Sequence, residues 1–134
     1  MKNKKILVLT LVFLLVCSLN VFASRKPEHN MIFMGEIEEL QKNEEHSTLN
    51  IKVKGYVKGF NISSQELIAI VDNETLILPN ECPKEGEEIE IKKVDPKTFT
   101  AEKGDVIFLV LSEDMTKSIP PQVSVKAIQI ADKK

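Results

Sequence analysis

The chain has 134 residues, with 18 basic and 20 acidic side chains, a formal charge of −2, and an aromatic share of 5% that includes no tryptophan. That length suits one domain with a single core, and the slightly acidic balance argues against a general binder of nucleic acid or of anionic membranes.

Residues 1–23 have the three-part pattern of an export signal: Lys2, Lys4 and Lys5, an apolar run over 6–16, and Val21-Phe22-Ala23 with small residues where a signal peptidase reads. Cleavage is expected after Ala23. The alternatives are a retained anchor, diluted by Thr10, Ser18 and Asn20, and lipidation at Cys17, where Val16 occupies a position that a lipobox gives to a small residue. Removing the signal takes away three basic residues and no acidic one, which moves the balance to near −5. It also leaves Cys82 as the single thiol, which excludes a disulfide framework and reads as a small, partly buried side chain in a loop. No membrane span is expected after cleavage, so the address is secreted or cell-surface associated.

Residues 24–30 are polar and read as a flexible lead-in to a single β-barrel domain over 31–134. A first strand starts at Met31, continuously apolar to Phe33 and then alternating imperfectly to Leu40, with a bend near Gly35. Residues 41–46 form a polar turn. The clearest strand covers 47–60, where Leu49, Ile51, Val53 and Val57 alternate with Asn50, Lys52, Lys54, Tyr56 and Lys58. Pairing Gln41 with Ser47 would set Ile37 opposite Ile51 on the inner face and Glu36 opposite Lys52 on the outer face.

Ser63 and Glu66 have the spacing of a helix capping box. The apolar run 67–71 is too short for a helix and rich in Ile, so a strand is expected over 66–71, continuing after a turn through 75–78. Residues 79–87 form a loop with two prolines and a glycine. A fourth strand is expected over 88–94, then a turn at Asp95-Pro96-Lys97 and a short extended piece over 98–100. The apolar run 106–111 reads as a strand buried on both faces. After a polar loop over 112–121, a last strand covers 123–130, its inward set shifting at a bulge near Ala127.

These elements predict an all-β fold: a small antiparallel barrel of five or six strands, OB-like in order, with no candidate for the helix that usually precedes the fourth strand of that fold. A general small barrel or sandwich is the alternative. Toward the C-terminus, Gly104-Asp105-Val106, then Thr116 to Gln122 around Pro120-Pro121, then Ala127-Ile128-Gln129-Ile130 resemble the closing pattern of YobA-like secreted domains of Gram-positive bacteria, a family of unknown function. Ile119 stands where that family tends to have tyrosine, and the resemblance covers about the last thirty residues. It implies an exported β-barrel of the cell envelope and no catalytic residues.

The chemistry of the chain points the same way. His29 and His46 are isolated, no serine sits in a nucleophile elbow, and no zinc or phosphate-loop motif is present, so the reading is noncatalytic with no cofactor or metal. Glu81, Glu85, Glu87, Glu88 and Glu90 lack the ordered spacing of a calcium loop and read as a solvated rim. The candidate ligand-binding residues are Lys52, Lys54, Tyr56 and Lys58: on an OB-type barrel the outer face of the second and third strands carries oligomers, and ammonium groups beside a ring suit an anionic chain. The sequence therefore predicts a binding module that contacts an envelope polymer or protein partner through the face from Lys52 to Lys58 or through the loop from Ser112 to Pro121. The alternative is an assembly protein that offers an edge strand, such as 123–130, to a partner.

Overall fold

The computed structural model describes residues 29–131, together with Asn3 and Lys4. The rest of the expected signal segment, Cys17 and residues 24–28 of the lead-in lie outside the described residues. Seven strands run through them: β1 (Met31–Asn43), β2 (Thr48–Lys58), β3 (Ile62–Val71), β4 (Leu76–Ile77), β5 (Lys92–Lys93), β6 (Val106–Met115) and β7 (Gln122–Ile130).

The five long strands close into a barrel in the order β1, β2, β3, β7, β6 and back to β1, with β4 and β5 appended outside β7. This is the small OB-like barrel expected from the pattern, with one correction to its direction. Four seams are antiparallel and the fifth, between β3 and β7, is parallel. The reason is parity. Strand directions cannot alternate all the way round a ring of five, so one neighbouring pair must run the same way.

Alternation builds the interior. Phe33, Leu49, Ile51, Val53, Leu67, Ile107, Leu109 and Ile128 are fully buried, from every long strand, and each such side chain contributes roughly 1.5–3 kcal/mol by leaving water. β1 breaks the alternation. Its register with β2 slips between Ile37 and Glu39, so Glu38 is an extra residue, and Ile37 and Leu40 both reach the core from positions three apart. The bend expected at Gly35 is therefore a bulge at Glu38. The hairpin register changes with it: Ile37 lies opposite Val53, Leu40 opposite Ile51 and Glu36 opposite Lys54, rather than Ile37 on Ile51 and Glu36 on Lys52. β1 also runs on to Asn43, whose side-chain Oδ1 accepts the His46 N–H, and the turn closes through Ser47 at a φ of 51°.

The strand over β3 begins earlier than its apolar run, at Ile62, and no helix forms at Ser63. After Val71 the chain makes a tight turn. The Asp72 carboxylate accepts the N–H groups of Glu74 and Thr75 at 2.9 and 3.1 Å, and the buried Thr75 hydroxyl donates to the Val125 carbonyl at 2.9 Å. This turn lets the chain step out and resume as β4 alongside the second half of β7. Asp72→Ala removes the carboxylate from both N–H groups and leaves the Thr75 N–H only its longer bond to the Asp72 backbone carbonyl at 3.3 Å; we expect a loss of about 1–2 kcal/mol, measured as a lower urea midpoint.

Residues 88–94 do not form the fourth barrel strand. Only Lys92–Lys93 pairs, and Ile89 and Ile91 stay half exposed because no neighbouring strand covers them. Residues 98–100 form no strand: a turn covers 96–98, and the Thr98 and Phe99 N–H groups donate to the Asp95 carbonyl. This irregular connection occupies the place in the chain where an OB-fold has its helix, and it helps fill the core: Val94 and Pro96 are buried and Phe99 and Ala101 pack against it. β6 alternates rather than being buried on both faces, because Phe108 and Val110 on its outer side are only half covered, and it extends through Met115 into the stretch expected as loop. On β7, Lys126 is the extra residue between Val125 and Ala127, so the bulge falls beside Ala127.

Candidate functional site

The four residues singled out on β2 lie on one outer face, in successive outward positions from Lys52 to Lys58, and the register shows what flanks them. One cross-strand row places Met34, Tyr56 and Ser64 side by side on β1, β2 and β3. The next row toward the start of β1 holds Ile32, Lys58 and Ile62, and the row on the other side holds Glu36, Lys54 and Glu66. Met34 is 57% exposed, Tyr56 63% and Ile62 69%. The surface around Tyr56 is therefore apolar, with charge to either side.

The lysines differ from one another. Lys52 is half-buried and bridges Glu38 at 3.2 Å and Glu66 at 3.7 Å, and Lys54 reaches Glu66 at 3.9 Å. The hydrogen bond and charge of Glu38, reinforced by Glu66, hold the Lys52 ammonium above its ordinary pKa, so it stays protonated at neutral pH and has no free lone pair with which to act as a base or nucleophile. Lys58 makes no ion pair among the described residues. Of the basic stripe, then, the Lys52 end is neutralised by its own carboxylates, while Lys58 points into solvent beside Tyr56.

This asymmetry predicts how charge reversal behaves. Lys52→Glu would gather a new carboxylate with Glu38 and Glu66 and remove the only cation between them, so we expect it to lower the thermal midpoint. Lys58→Glu breaks no ion pair among the described residues and should stay within about 0.5 kcal/mol of the parent. Thermal unfolding of the two variants side by side checks this.

Sequence reasoning missed Ile32, Met34 and Ile62. The first two were hidden in an apolar run: with Phe33 pointing inward, its neighbours must point outward, but only the pairing with β2 shows that they meet Tyr56 and Lys58. Cys82 is free and exposed rather than partly buried, because its Pro-rich loop lies on the surface. It lines an open hollow of about 330 Å³ with Pro79, Pro83 and Ile89, bordered by Glu81, Glu87, Glu88 and Glu90. Glu87 accepts the Lys84 N–H there, and no group of three or more His, Cys, Asp or Glu residues could hold a metal ion among the described residues. His46 sits in the β1–β2 turn and His29 lies beside Phe60, far apart in the fold. No helix among the described residues is long and apolar enough to cross a membrane.

The strand over 123–130, expected as an edge, is not one. β7 has β6 on one side and β3 followed by β4 on the other. Compared with known proteins, the chain matches no protein family, no curated protein and no solved structure.

Proposed function

We propose that the protein is an exported, noncatalytic binding module that takes a protein or envelope polymer on the outer face of β1, β2 and β3, centred on Tyr56. The observation that carries this reading is the row of Met34 and Tyr56, both more than half exposed on adjacent strands, beside Lys58, which makes no ion pair among the described residues. Apolar side chains held side by side on a rigid sheet are already ordered, so a partner that covers them gains burial without first freezing a loop. The self-neutralised Lys52 end shifts the balance from a purely anionic polymer toward a mixed apolar and anionic ligand.

The test is capture from the producing cell's envelope fraction by the parent chain and by Tyr56→Ser and Lys58→Glu variants. Loss of capture with either substitution, at unchanged stability, supports the face; equal capture by all three removes it. Lys52→Glu is a poor probe because its ion pairs would be lost with its charge.

A second reading, assembly by strand addition, moves to a new place. Residues 62–67 of β3 have β2 on one side, while pairing with β7 begins only at Ile68, so that half-strand offers a longer edge to a partner than the two-residue β5 does. Slowed amide exchange at 63–67 on addition of a captured protein, with Tyr56→Ser still binding, would favour it over the face.

A further inference from the structure

From Ile77 the chain runs out to a turn at residues 85–86 and returns as β5, the last strand in the sheet order. Only the end of the returning arm is paired: Lys92 lies opposite Ile77, Lys93 opposite Leu76, and the Val94 N–H donates to the Thr75 carbonyl at 2.8 Å. Neighbouring residues of a strand send their backbone groups to opposite sides, so Lys92 and Val94 face β4 while Ile91 and Lys93 turn theirs to the open side. No strand lies there among the described residues. Every residue from 87 to 93 is exposed, with Ile89 at 49% and Ile91 at 52%.

Over 87–93 the sequence is Glu-Glu-Ile-Glu-Ile-Lys-Lys, so its charge reverses from one end to the other. Laid antiparallel on a copy of itself with Glu90 at the centre, Glu87 meets Lys93, Glu88 meets Lys92 and Ile89 meets Ile91, each twice. Only Glu90 meets its like, and the partner's Lys92 then stands diagonally next to it, within reach of a long side chain. Sliding the partner by two residues, to a centre on Ile91, keeps only Glu90 opposite Lys92 and sets Ile89 against Lys93. The first register also suits the backbone, because odd-numbered residues, whose groups turn outward, pair with odd-numbered ones.

We propose that residues 87–93 pair antiparallel with the same residues of a second copy of this chain, lengthening β5 and joining two sheets about a two-fold axis at Glu90. Charge on an edge strand ordinarily keeps other strands away; here it admits its own sequence in one direction and one register. Ile89 and Ile91 of the two chains cover one another on one side of the joined sheet, which removes apolar area that a single chain leaves in water. Lys93 already holds Glu74 of its own chain at 2.6 Å, so the partner's Glu87 joins an existing pair. One strand from each chain makes an interface below about 1,200 Å², and the association is therefore weak, reversible and set by concentration. None of these residues belongs to the Tyr56 face.

The full chain, purified as the cell processes it, is sedimented from micromolar to millimolar concentration beside Glu88→Lys, Lys92→Glu and an equal mixture of the two variants. Glu88 and Lys92 are the positions to exchange because Glu87 and Lys93 have contacts within their own chain. Each variant alone sets like charges together wherever 88 meets 92, whereas the mixture restores opposite charges at both places. The expected result is a parent whose mean mass rises toward that of two chains, variants that each associate about tenfold more weakly, and a mixture that regains the parent's behaviour. A parent that keeps the mass of one chain throughout overturns the proposal. So do variants that associate as the parent does, which would place the contact elsewhere, and a mixture no stronger than its components, which would exclude this register.

Discussion

Gly55→Ala is expected to be among the most damaging single substitutions in the barrel, lowering stability by about 3 kcal/mol or more. Gly35 and Gly55 face each other across β1 and β2, and both point toward the interior. A Cβ on Gly55 would lie 2.2 Å from the Met34 carbonyl oxygen and 2.5 Å from the Gly35 Cα; one on Gly35 would lie 2.2 Å from the Lys54 carbonyl oxygen. These are backbone atoms, so no side chain can swing aside, and the two strands would have to separate. The position matters because a five-stranded barrel has a small circumference, and a facing pair of glycines lets the long hairpin coil tightly enough to close it. Gly59→Ala is the control: its Cβ would meet only the Met31 side chain, at 3.9 Å. Urea unfolding of the three alanine variants should show Gly35→Ala and Gly55→Ala far below the parent and Gly59→Ala close to it. Equal midpoints would mean that the strands yield more easily than their contacts imply.

The facing glycines also show where sequence reading reached its limit. Gly35 was legible as a place where the first strand bends, because glycine inside an alternating run marks a bulge or a close approach. Which of the two applied depended on Gly55, twenty residues on, and therefore on a register that the Glu38 bulge had shifted. β2 was readable almost to the residue because its alternation runs uninterrupted from Leu49 to Val57. Residues 88–94 alternate nearly as well, yet Ile89 and Ile91 stay half exposed, since a strand forms only where a neighbour offers a free edge. The parallel seam between Ile68–Ile70 and Gln122–Ser124 joins residues more than fifty positions apart. No local pattern announces it, although the count of five strands requires a parallel seam somewhere.

The same division holds for the candidate face. The lysines and Tyr56 could be read from one strand because they share its outward phase. Their differing roles could not, because Glu66 is on β3, and Glu38 turns toward Lys52 only through the bulge. Met34 entered the face through cross-strand register alone. A site on a sheet is a property of rows, and a sequence displays columns.

Phe33→Ala separates the support of that face from the face itself. Phe33 is fully buried, with Val57 beside it on β2 and Leu109 on β6, and it is the one aromatic ring that is fully buried among the described residues. Truncating it to alanine removes most of a ring's burial and leaves a cavity in a small core, a loss of about 3–5 kcal/mol. Against the roughly 5–15 kcal/mol total of an ordinary domain, this is enough to leave a substantial unfolded population in mild denaturant. Its neighbours Ile32 and Met34 project outward because Phe33 projects inward, so the substitution should weaken ligand capture and stability together. Met34→Ala, which removes a side chain already 57% exposed, should weaken capture while leaving the urea midpoint nearly unchanged. Measuring midpoint and capture for both variants distinguishes a residue that builds the sheet from one that the partner covers. If Phe33→Ala kept its midpoint, the interior could not be packed around that ring, and the outward placement of Met34 would need another cause.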